Sequence, residues 1–422
     1  MGIQPDSGSP RLIQRSYKFR CYPTPAQQRA LACHFGAARW VWNFGLNARG
    51  KAWRRRTESR SGVGISRLLT ILKRTHRYAW LKATPATVLT QALRDQDRAF
   101  SNFFAGRARY PRFKKRGHAQ AIRFQLDQRQ VHRAYRPGYL KLPALGEIKL
   151  RWSRTPGGIP KMVTLRRTAT GKYFVTFMCE EAAPGVAPAA HAAVGIDLGL
   201  RDLVVTSRGD RALAPRHYRE DRRRLKRQQR TLARKRKGSA RWHRQRRKVA
   251  AIHERIANRR TDTLHQLTRR LIDDNQVIGV EDLNVRGMLS NHHLALSIAD
   301  AAWTELRRQL TYKAAWGGRE VVVIDRWAPT SKTCSGCGHR MTAMPLSTRH
   351  WACLACGATH DRDVNAAINI QRLATGGRPE CHARGGRTIP CGDAAHAALT
   401  PAALEARINP APDTAERTAV TG

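Results

Sequence analysis

Two Cys-x₂-Cys pairs, Cys334/Cys337 and Cys353/Cys356, stand fifteen residues apart. Each pair can present two thiolates from one tight turn, and two such turns together offer the four ligands of a tetrahedral metal site. Gly336, Gly338 and Gly357 supply the flexible positions those turns need. Four thiolates close the coordination sphere. One zinc ion held this way folds a small ribbon and leaves no open position for catalysis. The other five of the nine cysteines, Cys21, Cys33, Cys179, Cys381 and Cys391, have no ligand spacing and read as core or tail residues. This usage suits a reducing compartment, so a cytoplasmic protein is expected.

Acidic residues are scarce, with 30 Asp and Glu against 78 Lys and Arg, so each carboxylate at the end of an apolar strand is informative. Three stand out. Asp197 lies in Val194-Gly-Ile-Asp-Leu-Gly199, Glu281 ends the apolar run of Val277-Ile-Gly-Val-Glu-Asp282, and Asp363 opens a helical segment in Asp361-Arg-Asp-Val-Asn-Ala-Ala367. Buried like charges repel unless cations lie among them. In-line hydrolysis of a phosphodiester can use two divalent ions about 3.5 to 4 Å apart, held by such groups. Mg²⁺ (or Mn²⁺) is the expected ion, because hard cations prefer oxygen ligands. Strand, strand and helix with one acid each is the arrangement of ribonuclease-H-like nucleases. The neighbouring Asp202, Asp282 and Asp361 read as structural. Strand alternation sends Asp282 to the face opposite Glu281, and Asp361 precedes the helix that should present Asp363.

A net charge of +48 over 422 residues would make a compact globule repel itself unless a polyanion neutralised it. Nucleic acid is the expected partner. A membrane is not, because no run of 18 apolar residues is present and the first 20 residues lack a signal-like apolar core. Two basic stripes carry the charge. In Arg107–Arg116, Tyr110 and Phe113 interleave with Arg112, Lys114 and Lys115, so cations for phosphates alternate with rings for unpaired bases. In Arg222–Lys248, Arg223, Lys226, Arg227, Arg234 and Lys235 lie on a pair of helices divided at Gly238-Ser239.

Periodicity divides the chain. Residues 1–23 end in a half-buried strand with Tyr17, Phe19 and Cys21 on one face. Thr24-Pro25-Ala26-Gln27 is a capping box that opens an amphipathic helix bearing Leu31, Phe35, Trp42 and Leu46. Helical patterns continue through residue 118. From 119 to 183 the period is two, with turns at Pro156-Gly157-Gly158 and Gly171. Residues 184–193 read as a linker and 194–329 as an α/β core holding the basic helical pair, with one helix expected from Ala295 to Trp316. The ribbon occupies 330–358, the last strand-and-helix motif 359–375, and the tail 376–422 is expected to be disordered. The fold class is α/β multidomain.

Several fragments together resemble the TnpB (OrfB) proteins of bacterial and archaeal insertion sequences, relatives of type V CRISPR effectors. They are Tyr17 to Gln27, Gly36-Ala-Ala-Arg-Trp-Val-Trp-Asn43, Tyr110-Pro-Arg-Phe-Lys-Lys115, Gly195-Ile-Asp-Leu-Gly199, Val280-Glu-Asp-Leu-Asn-Val285, Thr330-Ser-Lys-Thr-Cys334 and Asp361 to Ala367. The resemblance implies a RuvC-like (RNase H-like) nuclease core with an inserted four-cysteine zinc ribbon, preceded by a β-rich wedge-like module carrying a helical recognition insertion. It implies that Asp197, Glu281 and Asp363 are the catalytic, magnesium-binding acids and that the four ribbon cysteines bind zinc. A guide RNA from the transposon end and target double-stranded DNA are the implied partners. Thr330 stands where many relatives carry Ser.

Three other functions fit less of the sequence. A guided repressor that binds without cutting would be expected to lack an acid, and all three are present. A transposase that itself joins strands could use the same acids, but the tyrosine after a His-hydrophobic-His motif found in the companion single-strand transposases is absent. A plain RNA-binding protein accounts for the charge and not for the acids.

Overall fold

The computed structural model describes residues 11–376, apart from 56–60, 117–119, 127–130, 186 and 346. The expected disordered tail, with Cys381 and Cys391, lies outside the described residues except for Gly376.

The first strand, β1 (Leu12–Tyr22), buries Tyr17, Phe19 and Cys21 on one face, as its alternation predicts. It lies inside a seven-stranded antiparallel sheet with β2 (Gln120–Gln125), β3 (Tyr135–Arg136), β4 (Tyr139–Leu142), β5 (Gly146–Arg151), β6 (Pro160–Arg167) and β7 (Tyr173–Ala182), in the order β2-β6-β7-β1-β5-β4-β3. Its register with β7 runs from Leu12↔Ala182 to Cys21↔Tyr173. The helices α1 (Pro25–Arg54), α2 (Gly62–Leu72) and α3 (Ala86–Phe104) are inserted between β1 and β2, with a 3₁₀ turn over His76–Ala83. A short α4 (Val131–Ala134) precedes β3.

The capping box forms at α1. Thr24 Oγ1 accepts from the Gln27 amide, and the Gln27 side chain accepts from the Thr24 amide. The same Gln27 amide group donates to the carbonyls of Leu145 and Glu147, so the cap also ties the helix to the sheet. Leu31, Phe35, Val41 and Leu93 from the helices share one core with Phe124, Val163, Leu165 and Phe177 from the strands. The helical and β-rich segments therefore hold each other folded. Cys21 and Cys179 lie in this sheet, and burial pushes the Cys21 thiol up to about 12. Cys33 corrects the core reading: it is exposed on α1.

A second sheet is built from β8 (His191–Asp197), β9 (Asp202–Thr206), β10 (Arg211–Leu213), β11 (Asn275–Glu281) and β12 (Glu320–Ile324), in the order β10-β9-β8-β11-β12. β8, β9 and β10 run antiparallel, while β8, β11 and β12 are parallel. The expected linker is shorter than its composition implies. His191 already pairs with Asn275, because β11 supplies the partner that turns this Ala-rich segment into strand. The basic pair is α5 (His217–Ala233) and α6 (Ala240–Asp274), divided at Gly238 with φ +88° and capped by Ser239.

The short α7 (Val285–Met288) leads to α8 (Ala295–Ala301) and α9 (Trp303–Gly317). The single helix expected from Ala295 to Trp316 is thus two. Ala302 breaks it in the left-handed region, φ 53°, at a cost of about 1–2 kcal/mol for a non-glycine residue. Buried Asp300 stands just before the break. It accepts from the Tyr218 amide at 3.0 Å and from Arg260 Nη2 at 2.9 Å, contacts that fix the end of α8 against α5 and α6. The ribbon hairpin, β13 (His350–Ala352) with β14 (Thr359–Asp361), runs directly into α10 (Arg362–Ala374).

Candidate active site and metal centre

Gly195 and Gly279 are register partners on the parallel strands β8 and β11. Two residues further along each strand, on the same face, stand Asp197 and Glu281. α10 crosses that face. A Cβ on Gly195 would come within 2.0 Å of the Ala367 carbonyl oxygen, and one on Gly279 within 2.8 Å of Ala374 Cβ. Asp363 lies one helical turn before Ala367, so the helix carries it toward the strand ends where the other two acids sit. Burial, and then the charges of Glu281 and Asp363, push the Asp197 carboxyl up to about 7. The structure brings the three sequence-selected acids to one place.

Their polar neighbours are specific. Thr330 Oγ1 donates to Glu281 Oε1 at 2.7 Å. Arg349 Nη1, beside the ribbon hairpin, lies 3.4 Å from Asp363 Oδ1, and Arg211 Nη1 lies 4.0 Å from Asp363 Oδ2. Arg211 chiefly bridges Asp202 and Asp361, at 2.8 Å each. Burial opposes ionisation of Asp361, but the amides of Val364 and Asp363 and the Arg211 guanidinium hold its carboxyl below the usual range. Asp361 is the N-cap of α10. Asp282 pairs with Arg307 and Arg326, and the hydrogen bond from Arg307 does most to lower its pKa. All three neighbouring acids are thus occupied by arginines or helix amides.

The four ribbon sulfurs lie within 4.8 Å of one another, and among the described residues they form the only His, Cys, Asp or Glu group that compact. The three carboxylates are gathered more loosely. Cys334 Sγ is 3.7 Å from Cys356 Sγ, and Cys337 Sγ is 3.6 Å from Cys353 Sγ. Tetrahedral zinc with bonds of ~2.3 Å needs about 3.8 Å between sulfurs, so the donors fit that ion. The two knuckles repeat each other. Cys334 N bonds the His339 carbonyl and Gly338 N the Cys334 carbonyl, while Cys353 N bonds Ala358 and Gly357 N bonds Cys353. Gly338 and Gly357 take positive φ, 81° and 72°, at matching positions.

Sequence reasoning missed what joins ribbon to helix. Asn365 and Asn369, buried on one face of α10, each donate from Nδ2 to the carbonyls of Thr330 and Thr333. Asn365 Oδ1 accepts from the Ser335 amide inside the first knuckle. The i, i+4 asparagine pair on an otherwise apolar face was the available signal.

The expected nucleic-acid residues are at the surface, with two qualifications. Tyr110 is 48% exposed and packs edge-on against Phe100 and Phe103, while Phe113 is 54% exposed. Arg112, Lys114 and Lys115 are exposed, but the Lys114 ammonium sits 3.7 Å from the centre of the Trp42 ring, and its backbone is held by Asn43. On α5, Arg223, Lys226 and Arg227 are exposed, whereas Arg234, also exposed, is its C-cap and half-buried Lys235 lies in the turn before α6, a correction to their expected place on the helices. A cleft of about 670 Å³, lined by Arg116, Arg167, His243, Arg246 and Arg247 together with the β6–β7 turn, holds no acid in its lining. It escaped the sequence reading because Arg167 lies on a strand far from the helical stripe.

Residues 176–292 match a family model described as "Probable transposase", 303–370 one described as "Cas12f1-like, TNB domain", and 13–58 one described as "Helix-turn-helix domain". The last segment is a strand and one 30-residue helix in this fold. A Streptomyces pristinaespiralis protein named "Putative RNA-guided DNA endonuclease" is 46% identical over 367 residues, 86% of this chain and 90% of its own length. An Escherichia coli (strain K12) protein named "Putative RNA-guided DNA endonuclease InsQ" is 34% identical over 382 residues, covering 86% and 92%. In fold, the chain is similar to the protein in "Cryo-EM structure of the Cas12f1-sgRNA-target DNA complex", with TM-score 0.50 and 12% identity over 85% of this chain and 99% of that one. Matched along nearly their whole length by such relatives, with ribbon and carboxylates in the order its motifs require, this chain belongs to the TnpB (OrfB) family.

Proposed function

We propose that this protein is an RNA-guided DNA endonuclease that hydrolyses target DNA at Asp197, Glu281 and Asp363. The observation that carries the reading is the crossing of α10 over the paired glycines, which puts one acid from each of three elements at a common mouth. A sheet of order β10-β9-β8-β11-β12 with acids on its first and fourth strands in chain order and on the helix lying across them supports a RuvC-like core. Two Mg²⁺ (or Mn²⁺) ions bound there would stabilise the attacking and leaving oxygens of the scissile phosphate. The all-oxygen donor set, and an Asp197 carboxyl pushed up by burial and then by its like-charged neighbours, fit such cations.

The protein's own groups do the rest. Thr330 donates a hydrogen bond to Glu281, the Asp361 cap fixes the first turn of α10, and Arg349 and Arg211 offer positive charge beside Asp363. The ribbon binds one structural zinc through Cys334, Cys337, Cys353 and Cys356. Residues 24–118 serve as a recognition module and the seven-stranded sheet as a wedge, while 194–329 and 359–375 form the nuclease core. A guide RNA from the transposon end reads target sequence by base pairing, and the protein reads a short adjoining duplex motif. Among the described residues no helix is long and apolar enough to cross a membrane. We place the activity in the cytoplasm, at the nucleoid.

The test is to co-express the protein with its flanking transposon-end RNA and challenge a plasmid carrying a guide match beside randomised sequence. Mg²⁺-dependent, guide-dependent breaks that vanish in Asp197→Ala are expected. Guide-dependent binding without breaks would replace this reading with that of a repressor.

A further inference from the structure

Thr330 joins Glu281 to the helix that bears Asp363, at the root of the ribbon. The residue is 6% exposed, and its hydroxyl makes the only side-chain hydrogen bond to Glu281 among the described residues. Its carbonyl oxygen accepts from Asn369 Nδ2 at 2.8 Å and from Asn365 Nδ2 at 3.3 Å, both on the helix that bears Asp363. Three residues on, the Thr333 carbonyl accepts from the same two amides at 2.8 and 2.6 Å, and Cys334 begins the first knuckle. One residue thus bonds the second acid through its side chain and the third acid's helix through its backbone, at the root of the ribbon.

A glutamate carboxylate turns readily about its last torsion, with two equivalent oxygens. A buried O–H donated to Oε1 restrains that rotation and leaves Oε2 without a side-chain hydrogen bond among the described residues. Groups that orient metal ligands in this way are commonly worth 10- to 100-fold in metal affinity or activity.

We propose that Thr330 is a positioning residue whose hydroxyl fixes the rotation of the Glu281 carboxylate, coupling the seating of the zinc ribbon on α10 to divalent-ion binding at the acids. This rests on the reading of Glu281 as a metal ligand.

The experiment compares Thr330→Ser, Thr330→Val and Thr330→Ala in the full chain bound to its guide RNA. Mn²⁺ affinity is followed by electron paramagnetic resonance without target DNA, beside zinc content, melting temperature and the Mg²⁺ dependence of cleavage. Serine keeps the hydroxyl and loses the methyl, valine does the reverse, and alanine loses both. The expected result is Mn²⁺ affinity near wild type for serine and about 10-fold weaker for valine and alanine. Zinc should stay at one per chain throughout, and the Mg²⁺ requirement should rise in step. Weak serine and alanine variants beside a normal valine variant would assign the effect to packing of the methyl and overturn the proposal. Unfolding of both the valine and alanine variants would overturn it as well, since the hydroxyl would then be structural. Glu281→Ala separates the two levels. If it binds Mn²⁺ and cuts normally, the reading of Glu281 itself fails, whereas if it loses both while Thr330→Val does not, only the role of Thr330 fails.

Discussion

Gly195 and Gly279 face each other across β8 and β11, and the space above both is filled by α10. The close approach is backbone to backbone at Gly195, where the Ala367 carbonyl and the Gln371 amide occupy the position of a side chain. At Gly279 the overlap is milder, with the Ala374 methyl at 2.8 Å, the Ile370 carbonyl oxygen at 2.9 Å and Ile370 Cγ2 at 3.0 Å from the position of a Cβ. The position of Asp363 over the strand ends follows from these two missing side chains.

Gly195→Ala should therefore be the more damaging of two small changes. Overpacking a rigid contact costs about 1–3 kcal/mol, and a shift of α10 by about 1 Å would cost on the order of 100-fold in cleavage. Gly279→Ala should lose less of both. Urea unfolding and single-turnover cleavage of the two variants check the order, and equal effects would show that the tighter approach at Gly195 does not set the position of α10.

Alanine at Asp197, Glu281 or Asp363 should abolish cutting while leaving guide-RNA binding near wild type. Alanine at Asp361 should instead weaken α10 by about 1 kcal/mol, the usual worth of a helix cap, with residual cutting. Cleavage assays paired with filter binding decide this. A cutting Asp363→Ala variant would transfer the role to Asp361.

A pH dependence follows in metal-free buffer. The Asp197 carboxyl sits at about 7 when folded, against an ordinary value of 3.8, so the native state holds a proton that the unfolded chain releases. Stability from this group is full below about pH 4 and declines as pH rises toward 7. Asp197→Asn should thus stabilise the protein in EDTA at pH 8, by on the order of 1 kcal/mol after allowing for solvent screening. Melting curves with and without Mg²⁺ test the sign, and the gain should shrink when the ion is present.

Removing zinc should disturb cutting by way of the asparagines. Cys334→Ser or Cys353→Ser should lower zinc content and reduce the melting temperature by roughly 5 °C or more. Replacing Asn365 and Asn369 together by Ala should leave zinc bound and still impair cleavage. Elemental analysis alongside activity distinguishes the two, and full activity in the double variant would uncouple ribbon from helix.

The basic cleft gives a salt signature. Replacing Arg246 and Arg247 by Ala should weaken RNA binding across sequences and reduce the slope of log affinity against log salt by about 1 for each phosphate no longer neutralised. Affinity titrations from low to moderate salt measure it. An unchanged slope would mean the cleft holds no phosphate.

What was legible in the sequence was whatever depends on short-range pattern. The alternation around Phe19, the capping box at Thr24, the break at Gly238-Ser239 and the cysteine knuckles all occur at predicted places, since each is dictated by residues within a turn of one another. The grouping of the three acids was inferable only from their placement at element ends. What the sequence hid depends on distant partners. Ala302 has no local reason to leave the helical region, and the nearby Asp300 meets Arg260 and the start of α5 only in the folded chain. Thr330 looked like a conservative replacement within a motif, and its bond to Glu281 spans 49 residues.

The order of the elements has one more consequence. α10 is the last described helix, and it packs on β8, where the second sheet begins. A chain interrupted during synthesis before the ribbon is complete carries Asp197 and Glu281 under an uncovered face and has no third acid at all. Such a fragment still displays the basic faces of α5 and α6, but it is a sheet without the helix that completes its set of acids.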